Sequence, residues 1–141
     1  MRWGRVHSNR LVLVVEDDPD IAELVCLILE AALGVGTALA TDGKQGLDLV
    51  RERRPALVLL DLGLPQLDGC EVARRLKADP ATAAIPVVAV TARSRGEAMG
   101  AGCDDCVGKP FDPDDLIAKV REYLADPGAE GTTPEMPASA A

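Results

Sequence analysis

Short, wholly apolar runs recur along this chain of 141 residues, and they alternate with segments whose apolar residues are spaced three or four apart. Such a run is typical of a strand buried on both faces, and such spacing is typical of an amphipathic helix. Strands and helices that alternate in this way predict a parallel sheet covered by helices on both faces. We predict five strands, at Leu11–Val15, Gly36–Thr41, Ala56–Leu60, Ile85–Val90 and Cys103–Val107.

A predicted helix follows each of these strands. An aspartate before a helix can accept N–H groups of its first turn, and this signal precedes three of the helices, at Asp18, Asp42 and Asp112. The fourth helix is short, about two turns within residues 94–101. The predicted fold class is therefore α/β, a doubly wound, flavodoxin-like parallel sheet of five strands with five flanking helices.

The length suggests one domain at about residues 10–125, preceded by an N-terminal extension at residues 1–9. Residues 126–141 are rich in Pro, Gly, Ala and Ser and lack a periodic apolar face, so we predict a disordered tail. This tail leaves no room for a further folded domain, and we expect the domain to act alone. The run Leu11–Val15 is too short for a signal peptide or a membrane span, so we expect a cytoplasmic protein without membrane contact.

The formal net charge of the chain is −8. This charge argues against nucleic-acid binding through a broad basic surface. Solubility alone explains such a surplus of acidic residues. A second possibility is that some of the carboxylates are clustered to hold a cation.

The spacing of Cys103 and Cys106 is that of a redox motif or of half a zinc site. A redox pair normally lies at a helix N-terminus, whereas these cysteines fall in or beside a predicted strand. Asp104 and Asp105 lie between them, and His7, the nearest histidine, is far away in sequence. We therefore favour a packing role for both cysteines over redox or zinc chemistry.

Polar residues follow the predicted strands, at the sheet edge where sites of such folds lie. They are several carboxylates, one hydroxyl and one amine: Glu16, Asp17, Asp18, Asp61, Thr91 and Lys109. Crowded carboxylates repel one another unless a cation joins them, and oxygen ligands of this kind suit Mg²⁺. An aspartate beside Mg²⁺ is a possible nucleophile towards phosphorus. Taken singly, each acid could be a helix cap, which we prefer for Asp18, and Lys109 could form a surface salt bridge.

Four stretches that carry these residues, LVLVVEDDP, LVLLDLGLPQLDG, VVAVTA and KPF, resemble in order the motifs of the response-regulator receiver domain of two-component signalling. The resemblance covers about residues 10–125. It implies that Asp61 accepts a phosphoryl group from a phosphohistidine on a histidine kinase or a phosphotransfer protein. Such a domain is a phosphoacceptor that promotes its own phosphoryl transfer and dephosphorylation, not an enzyme, and signals by binding another protein, here unknown, with no direct nucleic-acid contact.

The resemblance also implies a role for each site residue. Lys109 would pair with Asp61 before phosphorylation and with the phosphoryl group afterwards, and the peptide bond between Lys109 and Pro110 would be cis. Thr91 would hydrogen-bond a phosphoryl oxygen and move towards it, which shifts the loop after the fourth strand. Mg²⁺ or Mn²⁺ would be held by four groups: Glu16 through water, Asp17, Asp61 and the backbone carbonyl of Gly63.

Two features depart from the family pattern, and Arg93 stands out by its position. Family members usually carry Tyr or Phe three residues before the lysine, where this chain has Cys106. The interval from Thr91 to Lys109 is shorter than usual by about four residues, close to one helical turn, so we predict a shortened fourth helix. Arg93 lies beside the expected phosphoryl position, where it could contact the group, block water, or be a solvated loop residue.

Two other functions stay open at this point. Cys106 and the short fourth helix favour a receiver-like interaction module that works without phosphorylation, although the intact site residues oppose it. An aspartate-nucleophile phosphatase would carry a second acid at the position of Gly63, so this function is disfavoured. Nucleotide binding is also disfavoured, because GVGTAL lacks the third glycine of the dinucleotide motif and no phosphate-loop motif is present.

Overall fold

The computed structural model of the protein describes residues 10–124, and the expectations for residues 1–9 and 126–141 lie outside this part. The described residues form five strands and five helices that alternate along the chain. In chain order these are β1 (Leu11–Val15), α1 (Pro19–Leu33), β2 (Gly36–Ala40), α2 (Gly43–Arg53), β3 (Leu57–Leu60), α3 (Gly69–Ala78), β4 (Val87–Thr91), α4 (Arg95–Gly100), β5 (Asp105–Gly108) and α5 (Pro113–Leu124).

All five strands are parallel and lie in one sheet with the order β2-β1-β3-β4-β5. The strand order reverses its direction after β2, which is the doubly wound arrangement that the sequence predicts. The predicted fold class is therefore confirmed. Within residues 10–124, no helix combines the length and the apolar character needed to span a bilayer.

The boundaries of β4 differ from the prediction, which placed this strand at Ile85–Val90. The strand begins at Val87 and extends to Thr91. Pro86 has no N–H group to donate to a neighbouring strand. The N–H group of Ile85 donates to the carbonyl of Thr82 (3.0 Å), so this residue still belongs to a turn.

The strand β5 begins at Asp105, whereas the prediction began it at Cys103. The N–H group of Cys103 donates to the carbonyl of Ala98 (3.1 Å), so this cysteine belongs to the turn that leaves α4. Gly102 permits the turn, because its φ of 101° is a conformation that other residues rarely adopt. The strands β2 and β3 are each one residue shorter than predicted.

The core consists of two apolar layers on opposite faces of the sheet. In β1, Val12 and Val14 pack with side chains of α1 and α5, whereas Leu13 and Val15 pack with those of α2, α3 and α4. Nearly all of these side chains are aliphatic, as a chain with one Trp, one Tyr and one Phe requires. The strands that carry the candidate site at their ends are thus held from both faces.

The helix starts follow the predicted capping signals. Each cap of this kind stabilises its helix by about 1 kcal/mol. The carboxylate of each predicted capping aspartate accepts an N–H group of the first turn: Asp18 from Asp20 (2.9 Å), Asp42 from Gln45 (2.8 Å) and Asp112 from Asp114 (2.8 Å).

The helix α4 is short, as predicted. It spans six residues, and Ala98 is the one residue of this helix that is buried. Ser94 caps its first turn by accepting the N–H group of Glu97 (3.1 Å). A helix with so little buried surface contributes little to the core.

The start of α3 lies directly against the main chain that follows β3. The N–H group of Gly69 donates to the carbonyl of Leu62 (2.9 Å). A Cβ atom at Gly69 would lie 2.3 Å from the carbonyl oxygen of Asp61 and 2.5 Å from the Cα atom of Leu62. Only glycine permits this approach, because the neighbouring atoms belong to the main chain and, unlike a flexible side chain, cannot move aside.

We expect Gly69→Ala to lower the free energy of unfolding by about 1–3 kcal/mol, because the new methyl group must displace main-chain atoms. Gly100→Ala is the matched control, since a Cβ atom there has nothing within 4 Å. The control should be neutral or more stable than wild type by about 0.5–1 kcal/mol, because Ala is the better helix former. Urea denaturation measures both changes, and equal stabilities of the two variants would contradict the packing argument.

Candidate functional site

Three carboxylates meet at the carboxyl edge of the sheet. The strands β1 and β3 pair in register, with Val15 opposite Leu60, so the residues that follow them are also neighbours. Carboxylate oxygens of Glu16, Asp17 and Asp61 all lie within 4.8 Å of one another. Glu16 is only 4% exposed and Asp61 only 9%, whereas Asp17 faces solvent.

Lys109 brings a positive charge to these acids from the end of β5. Its Nζ atom lies 2.6 Å from Oε1 of Glu16 and 3.1 Å from Oδ2 of Asp61. Burial disfavours the charged ammonium group, but the hydrogen bonds with Glu16 and Asp61 outweigh this effect and raise the pKa of Lys109 above its usual value. The lysine therefore stays charged and partly neutralises the cluster.

The remaining oxygens of the two buried acids are held by main-chain N–H groups. Asp18 donates to Oε2 of Glu16 (3.0 Å), and Gly63 donates to Oδ1 of Asp61 (3.0 Å). Burial nevertheless raises the pKa of Glu16 above its usual value, against the opposing effect of the hydrogen bond from Lys109. The bond from Gly63 also ties the loop that follows β3 to the Asp61 carboxylate.

Thr91 lies at the end of β4 and is 1% exposed. Its hydroxyl oxygen accepts the N–H group of Arg93 (3.2 Å), and its carbonyl accepts the N–H group of Lys109 (2.9 Å). Among the hydrogen bonds of residues 10–124, none joins the Thr91 hydroxyl to Asp61. The structure therefore brings Glu16, Asp61 and Lys109 into direct contact and places Thr91 beside them.

The side chain of Arg93 forms an ion pair with Asp68. The two residues meet as a fork, with Nη2 2.8 Å from Oδ1 and Nη1 3.3 Å from Oδ2. Nη1 also lies 3.8 Å from Glu97. Sequence reasoning identified Arg93 but missed Asp68, because the motif QLDG indicated only a loop there.

A second cluster of charges surrounds Asp105, which sequence reasoning considered only for its effect on the cysteines. Its carboxylate is nearly buried and contacts Arg95 of α4 (3.0 Å) and two residues of α5, Lys119 (2.8 Å) and the hydroxyl of Tyr123 (3.2 Å). Burial alone would raise the pKa of Asp105, but Lys119, the Cys106 N–H group and Arg95 together hold it well below its usual range. This cluster joins α4, β5 and α5.

The four cysteines of the chain are all free thiols. Burial, the largest cause, raises the pKa of the Cys103 thiol to about 11, and burial also raises the pKa of Cys106. Neither residue lies at a helix N-terminus, because Cys103 precedes β5 and Cys106 lies within it. These environments support the packing role that we favoured over cysteine chemistry.

The donor set of the acidic cluster fits a hard divalent cation. Carboxylate oxygens are the ligands that Mg²⁺ and Mn²⁺ prefer, and three of them converge here from two neighbouring strands. Asp17 is exposed, so part of the coordination sphere would remain open to water or to a phosphate oxygen.

Removal of the ammonium group should weaken the fold. We expect Lys109→Met to lower the free energy of unfolding at neutral pH by about 2–4 kcal/mol, because two buried carboxylates lose their counter-charge. Lys44→Met is the control, since Lys44 pairs with Asp48 at 3.4 Å on the open surface, and it should change stability by less than about 0.5 kcal/mol. Equal losses of stability in the two variants would show that the buried contacts of Lys109 stabilise the fold no more than an exposed ion pair does.

The loss of stability in Lys109→Met, relative to wild type, should also depend on pH. Glu16 has a raised pKa in the folded protein, so its ionisation opposes folding, and the stability present below 4.5 is lost as the pH rises through the folded value. Without Lys109 this effect grows, so the deficit should shrink as the pH falls towards 4.5. Denaturation of both proteins across this pH range measures it, and a constant deficit would contradict the assigned role of Glu16.

Comparisons with known proteins bear on this geometry. The family model described as the response regulator receiver domain matches residues 12–121. The DNA-binding response regulator MtrA of Mycolicibacterium smegmatis is 44% identical over 117 residues, which are 80% of this chain and 50% of that protein. The chain thus spans about half the length of the curated relatives that it matches.

Solved structures show the same fold. The receiver domain of Francisella response regulator 1452 has a TM-score of 0.75 and 30% identity, over 82% of this chain and 96% of that chain. The receiver domain of the sensor histidine kinase PA1611 of Pseudomonas aeruginosa, with a magnesium ion coordinated in its active-site cleft, has a TM-score of 0.76 and 28% identity, over 82% and 97%. Family model, relatives and fold agree, and the chain belongs to the response-regulator receiver domains of two-component systems.

Proposed function

We propose that this receiver domain accepts a phosphoryl group on Asp61 from a phosphohistidine of a histidine kinase or a phosphotransfer protein. The observation that carries this proposal is the environment of the Asp61 carboxylate. It is nearly buried, yet it lies at the sheet edge between the ammonium group of Lys109 (3.1 Å) and the N–H group of Gly63 (3.0 Å). These two contacts orient the carboxylate for attack on phosphorus. Its burial keeps away most of the water that would compete with it.

In the proposed reaction an oxygen of Asp61 attacks phosphorus. The bond between phosphorus and the imidazole nitrogen breaks, the imidazole leaves with the electron pair, and the product is an acyl phosphate on Asp61. Lys109 can follow the negative charge from the carboxylate to a phosphoryl oxygen, because its Nζ atom already lies beside Asp61. Later attack of water on phosphorus would return the domain to its initial state, so the domain would act as a signalling protein and not as a classical enzyme.

A divalent cation is part of the proposal. Mg²⁺ or Mn²⁺, when bound, would neutralise negative charge on the phosphoryl oxygens as they approach the acids. We assign its binding to four groups, namely Glu16 through water, Asp17, Asp61 and the backbone carbonyl of Gly63. The magnesium ion in the active-site cleft of the PA1611 receiver domain supports a divalent cation at this place in the fold.

We further propose that Thr91 reports the phosphoryl group. Thr91 ends β4, the strand next to β3, and in the unphosphorylated domain its hydroxyl accepts the N–H group of Arg93. A hydrogen bond to a phosphoryl oxygen would require this hydroxyl to turn, which would move the loop that leads into α4. The signal would then pass to another protein in the cytoplasm through α4 and its neighbours.

We do not extend the proposal to DNA binding by this chain. MtrA is named as a DNA-binding regulator, but that name describes a protein of which the match covers half. The net charge of −8 makes contact between this chain and DNA phosphates unfavourable.

A second function is a receiver-like interaction module that works without phosphorylation. The observation that favours it is Cys106, which lies half-buried in β5 where the resemblance implies an aromatic ring. A thiol does not sweep the volume of a ring, so the usual rotation cannot accompany the movement of Thr91. The preserved contacts among Glu16, Asp61 and Lys109 favour the first function.

Acetyl phosphate separates the two functions. We expect the wild-type protein, incubated with acetyl phosphate and Mg²⁺, to gain the mass of one phosphoryl group by intact mass spectrometry. Asp61→Asn should gain none, because the amide is not a nucleophile towards phosphorus, whereas the control Asp48→Asn should behave as wild type. No mass increase in the wild-type protein would favour the module that works without phosphorylation.

The cation site is tested by thermal unfolding. A ligand that binds only the folded state at about 100 times its Kd stabilises a protein by about 2.7 kcal/mol, so Mg²⁺ should raise the Tm of the wild type. Asp17→Asn should lose most of this increase, because it removes a proposed ligand on the solvent side, whereas Asp48→Asn should retain it. An equal increase in Asp17→Asn would contradict the assigned ligand set.

A further inference from the structure

The ion pair between Asp68 and Arg93 joins the two loops that flank the proposed phosphoacceptor. Asp68 ends the loop that follows β3, and Arg93 lies two residues after Thr91 in the loop that follows β4. The contact is a bidentate fork, with N–O distances of 2.8 Å and 3.3 Å, and the side chains of Arg93 and Asp68 are 36% and 43% exposed. Bidentate pairs fix the relative orientation of their partners more narrowly than single contacts do.

Within residues 10–124, no bond to the start of α3 explains the position of the Asp68 carboxylate. Asp68 directly precedes α3, a position where the side chain of an aspartate ordinarily accepts an N–H group of the first turn. The side chain of Asp68 accepts no such N–H group. The N–H groups of Glu71 and Val72 bond instead to the main-chain carbonyl of Asp68 (3.0 Å and 3.1 Å). The side chain is therefore available to Arg93, and its truncation leaves the bonds at the start of the helix intact.

Arg93 links Thr91 to Asp68, because its main chain bonds to the first residue and its side chain to the second. Its N–H group donates to the Thr91 hydroxyl (3.2 Å), while its guanidinium group is fixed by Asp68 and lies 3.8 Å from Glu97 of α4. When the hydroxyl turns towards a phosphoryl group, this N–H bond must break or the backbone of Arg93 must follow. Because the guanidinium group is anchored to Asp68 on the opposite loop, the ion pair resists movement of the Arg93 backbone.

We propose that Asp68 is a positioning residue, whose ion pair with Arg93 tethers residues 92–94 in the arrangement of the unphosphorylated domain and opposes the shift of Thr91. This inference rests on the proposed phosphorylation of Asp61 and adds a regulatory contact to that site. A contact made in only one of two states shifts their equilibrium by its own contribution. For an ion pair as exposed as this one, the equilibrium constant between the two states changes by about 1.5- to 5-fold.

The test measures the affinity of the protein for beryllofluoride, a phosphoryl mimic, at a fixed Mg²⁺ concentration. We compare wild type, Asp68→Ala, Arg93→Ala and the double variant, with Asp48→Ala as a control that removes the exposed partner of Lys44. If the tether acts as proposed, each single variant binds beryllofluoride about 1.5- to 5-fold more tightly than wild type. The double variant binds no more tightly than the singles, because both remove the same contact.

Two results overturn the tether while the proposed function stands. Equal affinities of wild type and both single variants show that the ion pair does not oppose switching. Weaker binding by Arg93→Ala, with tighter binding by Asp68→Ala, shows that Arg93 contacts the phosphoryl group itself. Wild-type protein that neither binds beryllofluoride nor gains mass from acetyl phosphate instead contradicts the proposed function.

A second readout tests the tether in the unphosphorylated protein, independently of any phosphoryl chemistry. Amide hydrogen exchange followed by NMR should be faster at residues 92–95 in Asp68→Ala than in wild type, and unchanged in β1 and β3. Asp48→Ala should exchange like wild type throughout. Unchanged exchange at residues 92–95 overturns the tether whether or not the protein binds the mimic.

Discussion

The ammonium group of Lys109 is the contact on which the site depends. Glu16 and Asp61 are nearly buried and follow neighbouring strands, so their charges would repel one another without a cation between them. Lys109 reaches both from the end of β5, at distances of 2.6 Å and 3.1 Å. One residue thus joins the edge of the sheet to its centre and fixes the position of the Asp61 carboxylate.

Most of the fold and the core of the site were predictable because both follow from regular patterns. Apolar runs identify buried strands, and in a parallel sheet the residues after such strands converge at one edge. This rule brings together Asp61 and Lys109, which are 48 residues apart in sequence, without any knowledge of side-chain directions. The prediction of the short fourth helix had another basis, the interval from Thr91 to Lys109, which is about one helical turn shorter than is usual in the family that the sequence resembles.

The remaining features depend on loop geometry, which no sequence period encodes. Asp68 has several arginines and lysines within reach along the chain, and only the folded loops select Arg93 as its partner. The charges around Asp105 come from α4 and α5 and meet only after both helices have packed. The late start of β5 has the same origin, because the turn at Gly102 uses the residues that were expected to begin the strand.

The close approach of Gly69 to the main chain of Asp61 makes the packing on the two sides of this proposed phosphoacceptor unequal. On one side, α3 is in contact with the backbone and cannot shift without moving the acceptor itself. On the other side, α4 has a single buried residue, Ala98, and is otherwise held through charged side chains. If Asp61 is phosphorylated as proposed, we therefore expect the resulting displacement to pass towards α4, the less firmly packed side, because the packing already favours that direction.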